Sequence, residues 1–260
     1  MKRDTMSENL HIDLNSDLGE SFGRYNLGMD SEIIPLVSSV NIACGSHAGD
    51  PVVMRDTVQL AAQAGVAIGA HPGYPDLQGF GRRDMHLSPD EAYCFVLFQL
   101  GALAGFCQAQ GVRLVHVKPH GQLYNTAAKD AELARAIASA VYDFDPTLTL
   151  VGLAGSYLVQ AGRDAGLPCV GEFFVDRNYT DEGALVPRNQ PNALIEDADF
   201  AVKRLCTFVQ TGTVESVSGN IISIDAQTAC VHGDSPQALD FVRTCRHALA
   251  QAEISVCANR

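Results

Sequence analysis

The chain lacks tryptophan altogether, and only 7% of its 260 residues are aromatic. So few aromatic side chains leave little material for the stacking platforms that bind single-stranded nucleic acids. Positive charge is also scarce, because 18 Lys and Arg stand against 30 Asp and Glu and the net charge is -12. Nucleic-acid binders and binders of anionic membranes need a basic face. The composition therefore predicts neither kind of partner.

The sequence also lacks paired cysteine motifs and a secretory leader. None of its eight cysteines forms a CxxC pair, and most stand within apolar runs. Such cysteines are typical of small buried side chains in a reducing compartment. The opening MKRDTMSENLHID is charged but contains no apolar core of a signal peptide. We therefore expect a cytoplasmic protein.

Apolar residues, in contrast, are plentiful. Hydrophobic residues make up 47% of the chain and charged residues 18%, which predicts a large buried core and excludes global disorder. The length suits a single α/β barrel, and no linker, internal repeat or low-complexity segment divides the sequence. We expect a single barrel domain over residues 1–260, with residues 1–9 as a loose N-terminal extension.

Short β-rich runs alternate with longer amphipathic runs along the whole chain. Candidate strands lie at residues 11–16, 40–44, 66–70, 113–119, 148–153, 169–175 and 228–232. Candidate helices lie at residues 30–37, 52–64, 90–110, 131–142, 156–164, 197–211 and 236–252. This alternation predicts an α/β fold with parallel strands inside and helices outside: a TIM-like (β/α)7 barrel, or an open doubly wound sheet.

Local signals mark several of the predicted boundaries. Glycines follow the periodic runs where helices are expected to end, at Gly65, Gly111, Gly166 and Gly212. Ser-Pro pairs at residues 88–89 and 235–236 are favoured helix starts. Gly219-Asn220 predicts a small hairpin before the last strand. No GxGxxG follows the first strand and no GxxxxGK occurs, so the usual dinucleotide-binding and P-loop motifs are missing.

Polar residues inside two of the predicted strands are unusual. In the first strand the period of two places His11, Asp13, Asn15 and Asp17 on one face. The fourth strand places His116, Lys118 and His120 on one face in the same way. A parallel strand is normally apolar on both faces, so ionisable side chains there cost free energy unless they are paired or functional.

The other strands carry polar residues at or just beyond their carboxyl ends. These are Asn41 and His47 after the second strand, His71 and Asp76 at the third, Glu172, Asp176 and Arg177 at the sixth, and His232 and Asp234 at the last. In a barrel all of these ends meet at one mouth, where barrel enzymes place their chemistry. The alternative is that each group pairs locally and only closes the barrel.

A metal site is one hypothesis for these residues. His47, His71 and His120 with Asp13 or Asp17 would form a set of the catalytic zinc type. The first strand has no HxH, which counts against the amidohydrolase pattern, so whether a metal binds is left open.

The loop at residues 77–83 joins two glycines to Arg82 and Arg83. This combination suits a phosphate or a substrate carboxylate, although an ordinary surface turn would look the same.

No charged residue occurs between positions 92 and 112. This run is long enough to span a bilayer, but it contains glutamines and leads straight into a strand. A surface helix normally keeps a charged outer face. We therefore predict a helix that is buried in an oligomer or partner interface, a homo-oligomer rather than a monomer, and no membrane span.

Several long stretches together resemble one family. They are IDLNSDLGESFG, NIACGSHAGDP, GAHPGYPDLQGFGRR, HVKPHGQLYN, EFFVDRNYTDEGALVPR and CVHGD, and they span residues 12–234. In this order they are similar to the family of the 5-oxoprolinase A subunits, also called the lactam-utilisation or LamB/YcsF family. Long motifs in order over nearly the whole chain are far more specific than any short pattern.

The resemblance implies a seven-stranded barrel akin to glycoside hydrolases and polysaccharide deacetylases. It also implies a hydrolase that opens the lactam of 5-oxoproline to give glutamate, uses ATP with Mg, and works with two partner subunits. ATP would activate the lactam oxygen before water attacks. That chemistry needs cations for phosphate, a base for water, and groups that stabilise charge on oxygen.

The polar strand ends supply candidates for each of these roles. The catalytic candidates are Asp13, Asp17, Glu20, His47, His71, Lys118 and His120. The candidates for binding substrate or phosphate are Asn15, Asn41, Arg82, Arg83, Glu172, Asp176, Arg177, His232 and Asp234.

Two other functions stay open on the sequence. One is a metal-dependent deacetylase or amidase that needs no ATP. The other is a non-catalytic subunit that binds substrate while its partners perform the reaction. The missing P-loop favours both of these, whereas the resemblance over nearly the whole chain favours the ATP-dependent lactam hydrolase.

Overall fold

Seven parallel strands close into a barrel in the computed structural model, which describes residues 10–231 and 238–259. The strands within these ranges are β1 (His11–Leu18), β2 (Ser39–Ala43), β3 (Ala67–His71), β4 (His116–Val117), β5 (Thr149–Leu153), β6 (Cys169–Phe174), β7 (Thr213–Glu215), β8 (Ile221–Ser223), β9 (Thr228–Cys230) and β10 (Ser255–Val256). The barrel order is β1-β2-β3-β4-β5-β6-β9, and β9 pairs with β1 to close it. The predicted parallel (β/α)7 barrel is confirmed, while the loose extension at residues 1–9 falls outside the described residues.

Helices surround the barrel. They are α1 (Asp30–Ile33), a 3-10 turn (Ile34–Leu36), α2 (Pro51–Ala64), α3 (Pro89–Ala109), α4 (Gly121–Ala127), α5 (Ala131–Phe144), α6 (Tyr157–Asp164), α7 (Ala198–Thr211) and α8 (Ala238–Gln251). Ser88 caps α3 as predicted, in a capping box with Glu91. Gly65 and Gly212 end α2 and α7 in the left-handed conformation, as the sequence predicted. The other predicted start, at residues 235–236, lies outside the described residues.

The apolar core lies between the strands and the helices, not inside the barrel. Ile12 and Leu14 of β1, with Val40 and Ile42 of β2, point outwards and are at most 2% exposed. The alternate residues point inwards, and many of them are polar. The interior of the barrel is therefore a column of polar side chains enclosed by an apolar shell.

Three elements differ from the sequence prediction. The ladder of β4 is only His116–Val117, shorter than the predicted 113–119, although single backbone bonds to β3 continue on both sides of it, from Val115 and from Lys118. Helix α4 was not predicted, since its seven residues are too few to show a helical period. Strand β10, also unpredicted, pairs with the first residues of β1 on the edge that β2 uses further along. The predicted hairpin is confirmed as the antiparallel pair β7–β8.

Helix α3 is the uncharged segment singled out in the sequence. Among the described residues it alone is long and apolar enough to cross a membrane, with mean hydropathy 1.5 over a window that is 33% buried. One such helix is weak evidence of a span, because core helices of soluble proteins pass the same test. In the fold its inner side contributes Val96, Leu100 and Leu103 to the core between barrel and helices.

Candidate functional site at the mouth of the barrel

At the end where the strands begin, Asp13 is held by hydroxyl groups. Its carboxylate accepts hydrogen bonds from Ser38 (2.6 Å), Ser39 (2.9 Å) and Thr228 (2.6 Å). Burial raises the pKa of Asp13 above its usual value even though the three hydroxyl donors lower it. Ser39 and Thr228 are the first residues of their strands, so this carboxyl lies at the opposite end from the mouth. The structure places it apart from the other catalytic candidates.

The middle of the barrel is filled by an amide and imidazole layer. Asn41 donates to Asn15 Oδ1 at 2.7 Å, and His116 Nε2 donates to Asn41 Oδ1 at 2.7 Å. A Cβ on Gly69 of β3 would overlap the His116 ring, so a glycine is needed there. Burial, and then the charge of Lys118, lowers the pKa of His116 to about 3, so this histidine is neutral. Asn15 and Asn41, predicted to bind substrate, bind other barrel residues instead.

Lys118 lies above this layer, 2% exposed, between two carboxylates. Its Nζ is 2.9 Å from Asp17 Oδ1 and 2.7 Å from Glu172 Oε1, and it also donates to Asn15 Oδ1 at 3.2 Å. Burial alone would lower the pKa of Lys118, but the charges of its acidic neighbours outweigh burial and hold it well above the usual value. Lys118 is therefore an ammonium that offsets negative charge at the centre of the barrel.

Three histidines and a glutamate meet at the carboxyl ends of the first four strands. We call Glu20, His47, His71 and His120 the histidine cluster; all four are buried, and their ligand atoms lie within 4.8 Å of one another. His71 Nε2 is 3.0 Å from His120 Nδ1. Glu20 Oε1 is 3.4 Å from His47 Nε2 and 3.5 Å from His120 Nδ1. Asp17 adjoins the cluster, with its Oδ2 3.2 Å from His71 Nε2.

Two glycines make room for the cluster. The rings of His47 and His120 stack in parallel, with centroids 3.7 Å apart. A Cβ on Gly73 would lie 2.5 Å from His47 Nδ1, and one on Gly81 would lie 2.8 Å from both His47 Cβ and His120 Cδ2. Burial, and then neighbouring positive charge, lowers the pKa of His47 and of His120 well below the usual value. His47 and His120 are therefore neutral imidazoles, which can bind a proton donor or a cation.

A cavity of about 750 Å³ opens above these residues. Seven of the predicted site residues line it: Asp17, Glu20, His71, Arg82, Lys118, His120 and Arg177. Sequence reasoning missed other lining residues, among them Tyr124, Lys129, Phe174 and Arg188. The floor of this cavity carries carboxylates and imidazoles, while its exposed rim carries Arg82, Lys129 and Arg188 together with one acidic residue, Asp130. A small acid with a reactive carbonyl group would fit this arrangement, with its carboxylate at the cationic rim and its carbonyl group at the floor.

Four predicted residues have other contacts. Arg83 donates to Asp76 (Nε to Oδ1, 2.9 Å) and does not line the cavity, so its predicted phosphate role is not supported by its position. Arg177 lines the cavity, but its guanidinium donates to the carbonyls of Val186 (2.6 Å) and Ala193 (3.3 Å). Glu172 and Asp176 also lie outside the cavity lining. His232 and Asp234 lie outside the described residues.

Tyr124 is the missed residue for which the sequence offers a signal. It stands four residues after His120, which is one turn of α4. A helix that begins at His120 therefore brings Tyr124 close to the histidine cluster. Burial, and then the charge of Glu172, raises the pKa of Tyr124 well above the usual value. The phenol is therefore neutral. Lys129 and Arg188 come from a turn and a loop without periodicity, and nothing in their local sequence points to the mouth.

Comparison with known proteins finds relatives over almost the whole chain. The model of the LamB/YcsF family matches residues 12–260. The A subunit of 5-oxoprolinase from Tolumonas auensis is 56% identical over 245 residues, 94% of this chain and 98% of that protein. The Bacillus subtilis protein of the same name is 56% identical over 247 residues, 95% of this chain and 96% of that protein. The crystal structure of the lactam utilization protein from Thermus thermophilus superposes with a TM-score of 0.92 at 49% identity, covering 96% of this chain and 100% of that one.

Proposed function

Because the chain belongs to the LamB/YcsF family, we propose that it is one component of an ATP-dependent lactam hydrolase that opens 5-oxoproline to L-glutamate. A role as one chain of a lactam-utilisation assembly follows from the relatives named as A subunits of 5-oxoprolinase. The proposal adds the substrate, the use of ATP with Mg, and catalysis at the barrel mouth. Its main support is the cavity, where carboxylates and imidazoles lie beside a cationic rim.

The reaction proposed for the complex consumes one ATP and two waters. The lactam oxygen takes the γ-phosphoryl group of ATP, and ADP leaves. Water adds to the lactam carbon, and the ring C–N bond breaks as the nitrogen takes a proton, which leaves an acyl phosphate. A second water releases phosphate and gives glutamate. Phosphorylation matters because an unstrained lactam is a poor electrophile.

Residues of the cavity fit the roles in this sequence. Arg82, Lys129 and Arg188 at the rim suit the substrate carboxylate and the transferred phosphate, since both are anions. Asp17 is the proposed base for water, because it is partly exposed at the cavity floor. Lys118 lies beside it as an ammonium that offsets negative charge developing on oxygen.

We propose that the complex contains two further subunits and works in the cytoplasm. The names of the relatives, which describe them as subunits, support an assembly of several chains. All eight cysteines are free thiols, which supports a reducing compartment.

Reconstitution tests the proposed function. The chain is combined with its two partner subunits, and glutamate and ADP are measured with 5-oxoproline as substrate. We expect equal amounts of glutamate and ADP, and Asp17→Asn should lower kcat by about 10²–10⁴-fold. Asp56→Asn, on the exposed face of α2, is the matched control and should have no effect.

Omitting one component at a time separates the alternatives. Glutamate formed without ATP would favour a metal-dependent amidase. Glutamate formed by the partners without this chain would favour a non-catalytic binding role. Either result contradicts the proposed function.

A further inference from the structure

In the histidine cluster, two ring nitrogens face each other while the other nitrogen of each ring already donates a hydrogen bond. His71 Nδ1 donates to the carbonyl of Lys118 at 2.7 Å, and His120 Nε2 donates to the carbonyl of Phe80 at 2.8 Å. A carbonyl oxygen can only accept, so each of these ring nitrogens carries the hydrogen. When such a ring carries only this one hydrogen, its other nitrogen offers a lone pair. These two nitrogens, His71 Nε2 and His120 Nδ1, face each other at 3.0 Å, and Asp17 Oδ2 lies 3.2 Å from His71 Nε2.

Two lone pairs at that distance repel unless a shared proton or a metal ion lies between or beside them. Further donors approach the same point. Glu20 Oε1 lies 3.5 Å from His120 Nδ1, and His47 Nε2 lies 3.4 Å from Glu20 Oε1. The Nδ1 of His47 has no hydrogen-bond partner in the described part of the chain, so no hydrogen bond at that nitrogen fixes the tautomer of this ring. Three imidazoles and one carboxylate thus converge.

The spacing matches the edges of a coordination shell. A tetrahedral ion with ligands at about 2.0–2.1 Å separates neighbouring ligand atoms by about 3.3–3.4 Å. Three of the ligand pairs in the histidine cluster lie between 3.0 and 3.5 Å, and no pair is separated by more than 4.8 Å. A small rotation of the side chains would bring the wider pairs onto one ion.

The surroundings also match those of a metal site. A histidine that binds a metal almost always donates its other ring N–H to a carbonyl or carboxylate, which orients the ring. His71 and His120 do this to two backbone carbonyls. Glu20, His71 and His120 also line the cavity, so the cluster is accessible from solvent and from a bound substrate.

We propose that Glu20, His47, His71 and His120 bind one divalent first-row transition-metal ion, with Zn²⁺ as the best match. Three imidazoles and a single carboxylate suit such an ion, whereas Mg²⁺ and Ca²⁺ prefer oxygen ligands. Glu20 is the carboxylate of this set, because its ligand oxygen lies within 4.8 Å of all three imidazole ligand atoms. Asp17 is already paired with Lys118 at 2.9 Å, and Asp13 lies among the hydroxyls where the strands begin. The site itself stands on this geometry, and any part that the ion has in lactam opening beside Asp17 rests on the proposed function.

Metal content tests the site without any activity assay. The full chain is produced with added Zn²⁺ and, separately, Co²⁺, and bound metal is measured by mass spectrometry after gel filtration. We expect about one ion per chain, and visible absorption bands for the Co²⁺ form. His71→Gln and His120→Gln should lose the metal, while His247→Gln, on the exposed face of α8, should retain it.

A second measurement covers the case in which a variant does not fold. Wild-type chain is stripped with a chelator and titrated with Zn²⁺ while its melting temperature is followed. We expect a rise of several degrees that saturates at one equivalent. Wild-type chain that carries no more metal than His71→Gln, with an unchanged melting temperature on titration, would overturn the site and assign the close His71–His120 pair to a shared proton.

The two proposals fail in different ways. Metal bound at the cluster, with no glutamate formed by the reconstituted complex, would leave the site and remove the proposed function. A metal-free complex that forms glutamate at the full rate would leave the proposed function and remove the metal's part in it.

Discussion

At the scale of single residues, Lys118 is the residue whose expected role differs most between sequence and structure. Its position in a polar strand suggests a catalytic or phosphate-binding lysine whose loss would stop activity without unfolding the chain. In the barrel it is enclosed by Asp17, Glu172 and Asn15. A buried lysine between two acidic partners offsets part of their charge, so its removal would leave both carboxylates buried without a cation. The catalytic and the structural roles of Lys118 therefore cannot be separated by removing it.

We expect Lys118→Met to lower the free energy of unfolding by about 3–5 kcal/mol, because methionine fills the space but leaves Asp17 and Glu172 unneutralised. Urea unfolding followed by circular dichroism measures this. Lys129→Met, at the exposed rim of the same cavity, is the control and should change stability by about 0.5 kcal/mol or less. Equal unfolding curves for Lys118→Met and wild type would show that the charge network contributes little to stability.

At the scale of elements, α3 is the helix whose outer face is unusual. Phe98 is 68% exposed there, and Cys94, Gly101 and Gly105 are exposed on the same side at helical spacing. Leu97 and Ala104, in contrast, pack partly against the core. An exposed face without charge, next to a large aromatic side chain, is typical of a contact between chains. The predicted interface would therefore use the Phe98 side of the helix.

We expect the wild-type chain to sediment as a species larger than the 27.8 kDa monomer, and Phe98→Glu to shift it towards the monomer. A glutamate at the centre of an apolar contact would have to lose its hydration. Phe200→Glu on α7, also an exposed phenylalanine at 52%, is the matched control and should not change sedimentation. Analytical ultracentrifugation of the chain alone and with its partner subunits gives the result. A wild-type monomer under both conditions would exclude the interface.

At the scale of the whole molecule, the polar column makes the fold sensitive to acid. His116 is neutral in the folded chain because burial, and then the charge of Lys118, lowers its pKa to about 3. In the unfolded chain its pKa returns to about 6.5. Between these values only the unfolded state binds the proton. The contribution of His116 to stability is therefore present above pH 6.5 and is lost as the pH falls towards 3.

We expect the unfolding free energy of the wild type to fall by several kcal/mol between pH 7 and about pH 4. His116→Gln can still donate to Asn41 but cannot take up a proton, so its stability should fall less over the same range. Urea titrations at a series of pH values measure both curves. His247→Gln, which removes an exposed histidine, should follow the wild type. Parallel curves for His116→Gln and wild type would mean that His116 does not govern the acid response.

The sequence by itself determined the architecture and the family. Periodic runs, helix-ending glycines and the Ser88 cap are local signals, and the structure confirms the parallel barrel and the hairpin that they predict. The long motifs identify the family because they extend over nearly the whole chain. The period of two in β1 also correctly places Asp13, Asn15 and Asp17 on one face of the strand.

Only the tertiary structure decided which of these polar residues belong to the site. Asp13 and Asp17 share a face, but four residues of strand separate them by about 13 Å. That distance leaves Asp13 among the hydroxyls where the strands begin and brings Asp17 to His71 and Lys118 at the mouth. Glu20, His47, His71 and His120 are far apart in sequence and meet only because the barrel closes. A strand pattern reports the face on which a side chain lies, whereas depth along the barrel and partners on other strands depend on how the strands are staggered.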